Sequence, residues 1–93
     1  MSRSAQEIRE WMIDRLSRLT GVPAQELDPR EPVRRYGLDS VALVAFATDL
    51  EEWLGYRFTS NPLDDHPTVD ALAEFLARET ATGEEERKYD DGR

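Results

Sequence analysis

Tyr36-Gly37-Leu38-Asp39-Ser40-Val41 is the stretch on which the reading of this chain turns. Gly37 closes a connection broken by Pro23, Pro29 and Pro32. Asp39 stands where a helix N-cap belongs, its carboxylate able to accept an amide hydrogen bond that the first turn leaves unmade. From there Leu43, Ala47, Leu50 and Leu54 recur at helical spacing, widened by Phe46, until Gly55 ends the pattern. The spacing predicts an amphipathic helix over 40–54, with Ser40 as its first residue. A side chain there is exposed and faces the positive end of the helix, where a phosphate ester would meet unpaired amides and a favourable dipole. Serine is also common at helix starts. From the residue alone, an ordinary first-turn serine and an attachment point both stand.

Upstream, Ser4 and Glu7 have capping-box spacing. Ile8, Met12, Leu16 and Leu19 then recur at helical spacing beside Trp11, and Gly21-Val22-Pro23 is a stop signal. Residues 22–39 keep neither the helical nor the strand period. A connection of this length in a small domain needs pinning, and Leu27, Val33, Tyr36 and Leu38 are the apolar residues available for it. Downstream, Asn61 and Pro62 open a short segment reaching His66. The last helix follows Pro67, with Thr68 as cap, Val69, Leu72, Ala73 and Leu76 inward, and a ragged end near Thr80–Gly83. Residues 84–93 have no apolar stripe and read as disordered. The expected architecture is all-α: three main helices plus one short one, over residues 1–80, with 81–93 as a disordered acidic tail.

Composition narrows the function classes. The chain has 93 residues and a formal net charge of -8, with 39% hydrophobic residues and a mean hydropathy of -0.69. That is one soluble domain. Nucleic acids and anionic membranes are disfavoured, because binding either needs clustered Lys and Arg. Acidity fits a partner with a basic surface, or serves solubility alone. With no cysteine, disulfides, thiolate metal sites and a cysteine nucleophile are excluded. The N-terminus lacks a signal-peptide core and no apolar run reaches membrane-spanning length, so the expected location is cytoplasmic.

Gly37-Leu38-Asp39-Ser40, opening an amphipathic helix after a proline-bearing loop, resembles the attachment motif of acyl and peptidyl carrier proteins. The resemblance covers roughly residues 5–80. It includes Leu19-Thr20-Gly21 at the end of the first helix, the anchors Leu27 and Pro32, Leu54-Gly55, and the junction His66-Pro67-Thr68. That junction is similar to those of polyketide and nonribosomal peptide carrier domains. The resemblance implies a carrier-protein four-helix bundle with a long first loop and no catalytic or metal site of its own. It implies that Ser40 receives 4'-phosphopantetheine from coenzyme A and that the arm thiol carries acyl groups as thioesters. Asp39 matches the acid that helps the transferase hold its magnesium. The implied partners are a phosphopantetheinyl transferase and acyl-loading and acyl-processing enzymes of synthase, transferase or ligase type, acting on a monomer. Polyketide or other secondary-metabolite synthesis is the favoured setting.

The chain departs from the family pattern at two positions. Val41 replaces a leucine and Ala45 replaces a glutamate often found there. Projected at the helical period, the face opposite the core stripe holds Val41, Ala45, Thr48 and Glu52, with Asp49 at its edge. This candidate partner interface is apolar near Ser40 and acidic only towards the far end.

The same residues argue against other functions. Ser40 lies in no Gly-x-Ser-x-Gly elbow, and the single histidine, His66, sits before Pro67, where packing or capping suffices. Asp64-Asp65-His66 lacks the further ligands of a metal site. The competing function is a small helical interaction module, or a degenerate carrier without cofactor, with Trp11 and Trp53 in the interface or covering the edge of the core.

Overall fold

The computed structural model describes the backbone of residues 3–91 and the side chains of residues 3–80. Helix α1 spans Ala5–Thr20. Its capping box is formed in both directions: Ser4 Oγ accepts the Glu7 N–H at 3.1 Å, and Glu7 Oε1 accepts the Ser4 N–H at 3.2 Å. Helix α2 spans Ser40–Leu54 and helix α3 Val69–Asp91. At the start of α3, Thr68 Oγ1 accepts the Ala71 N–H at 3.1 Å. The short segment between α2 and α3 is one 3-10 turn, Pro62–Asp64, capped by Asn61 Oδ1 on the Leu63 N–H.

Each helix turns its apolar stripe to one core. Ile8, Met12 and Leu16 of α1, Leu43, Phe46 and Leu50 of α2, and Val69, Leu72, Ala73 and Leu76 of α3 are buried together with Leu27, Val33 and Leu63. Leu19 is the exception in α1. It is in phase with the stripe but stands on the last turn, and 40% of it remains exposed. The stripe of α2 is centred nearer Phe46 than the sequence suggested, leaving Ala47 and Leu54 half-buried. The cause is aromatic packing from α1: the Trp11 ring lies 6.2 Å from that of Phe46 and stacks on Trp53 at 5.1 Å. Arg15 and Arg3 cover the outer faces of Trp11 and Trp53, so both tryptophans close the edge of the core.

The connection 22–39 is more ordered than its lack of periodicity implies. It contains two 3-10 turns, Ala24–Glu26 and Val33–Tyr36. Its hydrogen bonds reach across to α3: the Val33 N–H donates to the Pro67 carbonyl at 2.8 Å, and the Asp70 N–H to the Pro29 carbonyl at 3.0 Å. Pro32 and Thr68 form an isolated antiparallel bridge. Arg9 of α1 meets Asp70 at 2.6 Å, locking the first two turns of α1 to the same place. These tethers satisfy backbone groups that a loose loop would leave to water.

Helix α3 continues to Asp91, past the end expected near Thr80–Gly83. Residues 84–88, Glu-Glu-Glu-Arg-Lys, are all strong helix formers, which outweighs Gly83. The side chains of 81–93 lie outside the described residues, and the expectation of a disordered tail falls there.

Candidate functional site

The approach to Ser40 is built from its loop. The Tyr36 hydroxyl donates a hydrogen bond to the Asp28 carbonyl, holding the second 3-10 turn against the first half of the connection. Burial, and then the charges of Asp28, Glu31 and Asp70, hold the Tyr36 phenol above its ordinary pKa. Asp28 is held below the usual carboxylate range, first by the Arg30 N–H that donates to it at 2.9 Å. Gly37 then takes φ 84, a left-handed conformation that glycine adopts without strain. The chain leaves that turn extended through Asp39, at φ -80 and ψ 174.

Asp39 is the N-cap of α2. Its Oδ1 accepts the Ala42 N–H at 2.8 Å, and its carbonyl accepts the Leu43 N–H at 3.0 Å. Ser40 follows as the first helical residue, and both Asp39 and Ser40 are exposed. Among the described residues, the amides of Ser40 and Val41 have no hydrogen-bond acceptor. A phosphate ester on the Ser40 hydroxyl therefore fits: it has room, two free amides beside it, and the positive end of α2. The other described serines are differently placed. Ser4 caps α1, the Ser17 hydroxyl donates to the Val22 carbonyl at 2.7 Å, and Ser60 is exposed in the loop after α2.

Val41, Ala45, Thr48 and Glu52 all lie on the exposed side of α2. Val41 is 77% exposed. Val44, which the sequence pattern did not single out, belongs with them at 59% exposure. It follows Val41 by three residues, and the helical period places it on the outer face once the core stripe is centred on Phe46. Asp49 turns the other way, where Arg15 Nη1 donates to it at 2.8 Å.

His66 is a packing residue. Its ring stacks on Phe75 with centroids 4.1 Å apart, and its backbone N–H donates to the Pro62 carbonyl at 2.9 Å. No hydrogen bond joins it to Ser40. Asp64 pairs with Arg34 at 2.6 Å. Among the described residues, no three His, Cys, Asp or Glu side chains converge as metal ligands, and no helix is long and apolar enough to cross a membrane.

Residues 10–76 match the family model described as phosphopantetheine attachment site. The chain belongs to this family of carrier proteins. Carriers of this kind are not enzymes. Among solved structures, this carrier is similar to the acyl carrier protein LipD of Actinoplanes friuliensis. The two are 31% identical with a TM-score of 0.71, over 88% of this chain and 97% of that one. It is also similar to a free-standing peptidyl carrier protein from a secondary metabolic pathway of Acinetobacter baumannii. There the identity is 28% and the TM-score 0.75, over 82% of this chain and 95% of that one. Among curated proteins it is 33% identical over 82 residues to one component of the phenolphthiocerol/phthiocerol polyketide synthase of Mycobacterium tuberculosis, a match covering 84% of this chain. The carrier spans only 4% of that relative's length.

Proposed function

We propose that Ser40 is the residue that receives 4'-phosphopantetheine, and that the resulting arm shuttles acyl groups in polyketide or related secondary-metabolite synthesis. The observation carrying this reading is the exposed Ser40 hydroxyl at the first position of α2, beside two amides without acceptors. In the loading step the Ser40 oxygen forms a bond to the phosphorus that bears pantetheine. The pyrophosphate bond of coenzyme A breaks, the 3'-phosphorylated adenosine monophosphate portion departs, and the hydroxyl proton passes to a base of the transferase. Asp39 keeps the first turn in place and adds a carboxylate beside the hydroxyl for the transferase's magnesium. The arm supplies the thiol that this cysteine-free chain lacks. The partners are a phosphopantetheinyl transferase and the synthases, transferases or ligases that load and process the acyl group. The polyketide setting rests on the similarity to the mycobacterial polyketide synthase.

Incubation with coenzyme A and a promiscuous transferase tests the reading by intact mass. The wild type should gain a single phosphopantetheine, and Ser40→Ala should gain none while keeping its helical content. Labelling that persists in Ser40→Ala would move the site to another serine, Ser2, Ser4, Ser17 or Ser60. A wild type that gains nothing would return the chain to a cofactor-free interaction module.

A further inference from the structure

The loop that delivers Ser40 is tied down in two stages. Residues 29–33 are held by the backbone: the Val33 N–H donates to the Pro67 carbonyl, the Asp70 N–H to the Pro29 carbonyl, and Val33 is fully buried. Among the described residues, the backbone of residues 34–38 makes no bond to another element. Arg35 pairs with Glu31 at 3.8 Å and the Tyr36 hydroxyl bonds to the Asp28 carbonyl, both within the same loop. Tyr36 and Leu38 are only half-buried against the core. One polar contact joins this segment to a different part of the fold: Arg34 Nη2 donates to Asp64 Oδ1 at 2.6 Å. Asp64 stands on a firm base, since its turn, Pro62–Asp64, is capped by Asn61 and buries Pro62 and Leu63.

We propose that Arg34 is a positioning residue for the loading of Ser40, acting through its ion pair with Asp64. The inference rests on Ser40 being the attachment site. Packing of Tyr36 and Leu38 holds the segment close without fixing its direction, because apolar burial is non-directional. A charge-assisted hydrogen bond is short and directional. Here both its ends are set by neighbours in the core, Val33 beside Arg34 and Leu63 beside Asp64. The pair therefore selects one setting of the turn Val33–Tyr36, from which Gly37, Leu38 and Asp39 lead directly into α2. Both side chains are more than half exposed, at 52% and 59%, so the pair adds little to global stability. Its effect falls on the population of carriers whose Ser40 hydroxyl is correctly presented. Because it acts on the placement of the hydroxyl and not on the contact between the two proteins, it enters kcat and leaves KM nearly unchanged.

The test is a charge exchange read by loading kinetics. Transfer of phosphopantetheine from coenzyme A to the apo protein by a promiscuous transferase gives kcat and KM, and circular dichroism checks that each variant is folded. Arg34→Glu and Asp64→Arg each bring like charges together. Either should lower kcat by about fivefold, the upper end of what an exposed pair biases, with KM changed by less than about twofold. Arg34→Gln removes the pair without repulsion and should cost about threefold; it carries the test if a reversed charge unfolds the chain. The double variant Arg34→Glu/Asp64→Arg re-forms the pair with its ends exchanged, and its kcat should return to within about twofold of wild type. Tm should move by less than about 4 °C throughout. Amide exchange at residues 37–40 should quicken in the single variants and slow again in the double. Single variants with wild-type kcat, or a double variant no faster than the singles, would overturn the inference. A loss confined to KM would overturn it as well, as the sign of direct contact between Arg34 and the transferase. A wild type that takes up no phosphopantetheine would instead overturn the attachment reading beneath it.

Discussion

Tyr36 makes the last tether before Ser40, and its phenol couples that tether to pH. Tyr36→Phe removes the hydrogen bond to the Asp28 carbonyl and should lower stability by about 0.5–1.5 kcal/mol in urea denaturation. The folded pKa of Tyr36 lies above the ordinary value of 10.0. Its contribution is therefore fully present below about pH 10 and is lost as pH rises through the higher folded value. Tyr36→Phe should flatten part of the alkaline loss; Tyr56, raised by burial and by Glu79, accounts for another part. Asp39 allows its two roles to be separated. Asp39→Asn keeps a side-chain oxygen for the cap, so stability should change by only a few tenths of a kcal/mol, up to about 0.5. If the carboxylate serves the transferase, loading should nevertheless slow by about tenfold or more. Equal rates for Asn and Asp would reduce Asp39 to a cap. The Ser4–Glu7 box and the Asp39 cap were legible in the sequence because both partners lie within one turn. The engagement of Asp49 by Arg15 and of Glu51 by the Phe58 amide was not, since it joins residues brought together only by the fold.

At the scale of the element, α2 determines how the carrier is presented. Leu50 is fully buried in its stripe, and Leu50→Ala should cost about 2–5 kcal/mol by thermal or chemical unfolding. Leu54, half-buried against the core, should cost less when truncated to Ala. Equal losses at the two positions would show that the helix is rotated towards Leu54. Apolar spacing gave the limits and amphipathic character of α2, but its rotation depends on Trp11 packing over Phe46 and Trp53. Spacing within one helix cannot report which neighbour arrives from another. Val44 was left off the outer face for that reason, because the stripe read from spacing was centred on Ala47 instead of Phe46. The loop 22–39 hid its order similarly, because 3-10 turns tied to Pro67 and Pro29 leave no period to detect.

Across the whole molecule, α1, α2, α3 and the pinned loop close a single core, and Ser40 stands exposed where the loop enters α2. Residues 84–93 contribute no apolar stripe. Removing them should shift Tm by less than about 4 °C, the change produced by roughly 1 kcal/mol in a domain of this size. A larger fall would show that Tyr89 or the acidic run packs on the bundle. The helical bundle was legible throughout because each long helix buries a stripe of local spacing, whereas the surface offered to partners depends on which charges the fold has already paired. The attachment site is one hydroxyl, and proteolysis isolates it. Trypsin cleaves after Arg35 and Arg57, and the fragment between them, residues 36–57, contains Ser40 and no other serine. After loading from coenzyme A, tandem mass spectrometry of that digest should find the whole phosphopantetheine label on residues 36–57, with fragment ions locating it at Ser40. Label on any other fragment, or at Thr48, Tyr36 or Tyr56 within this one, would contradict the account.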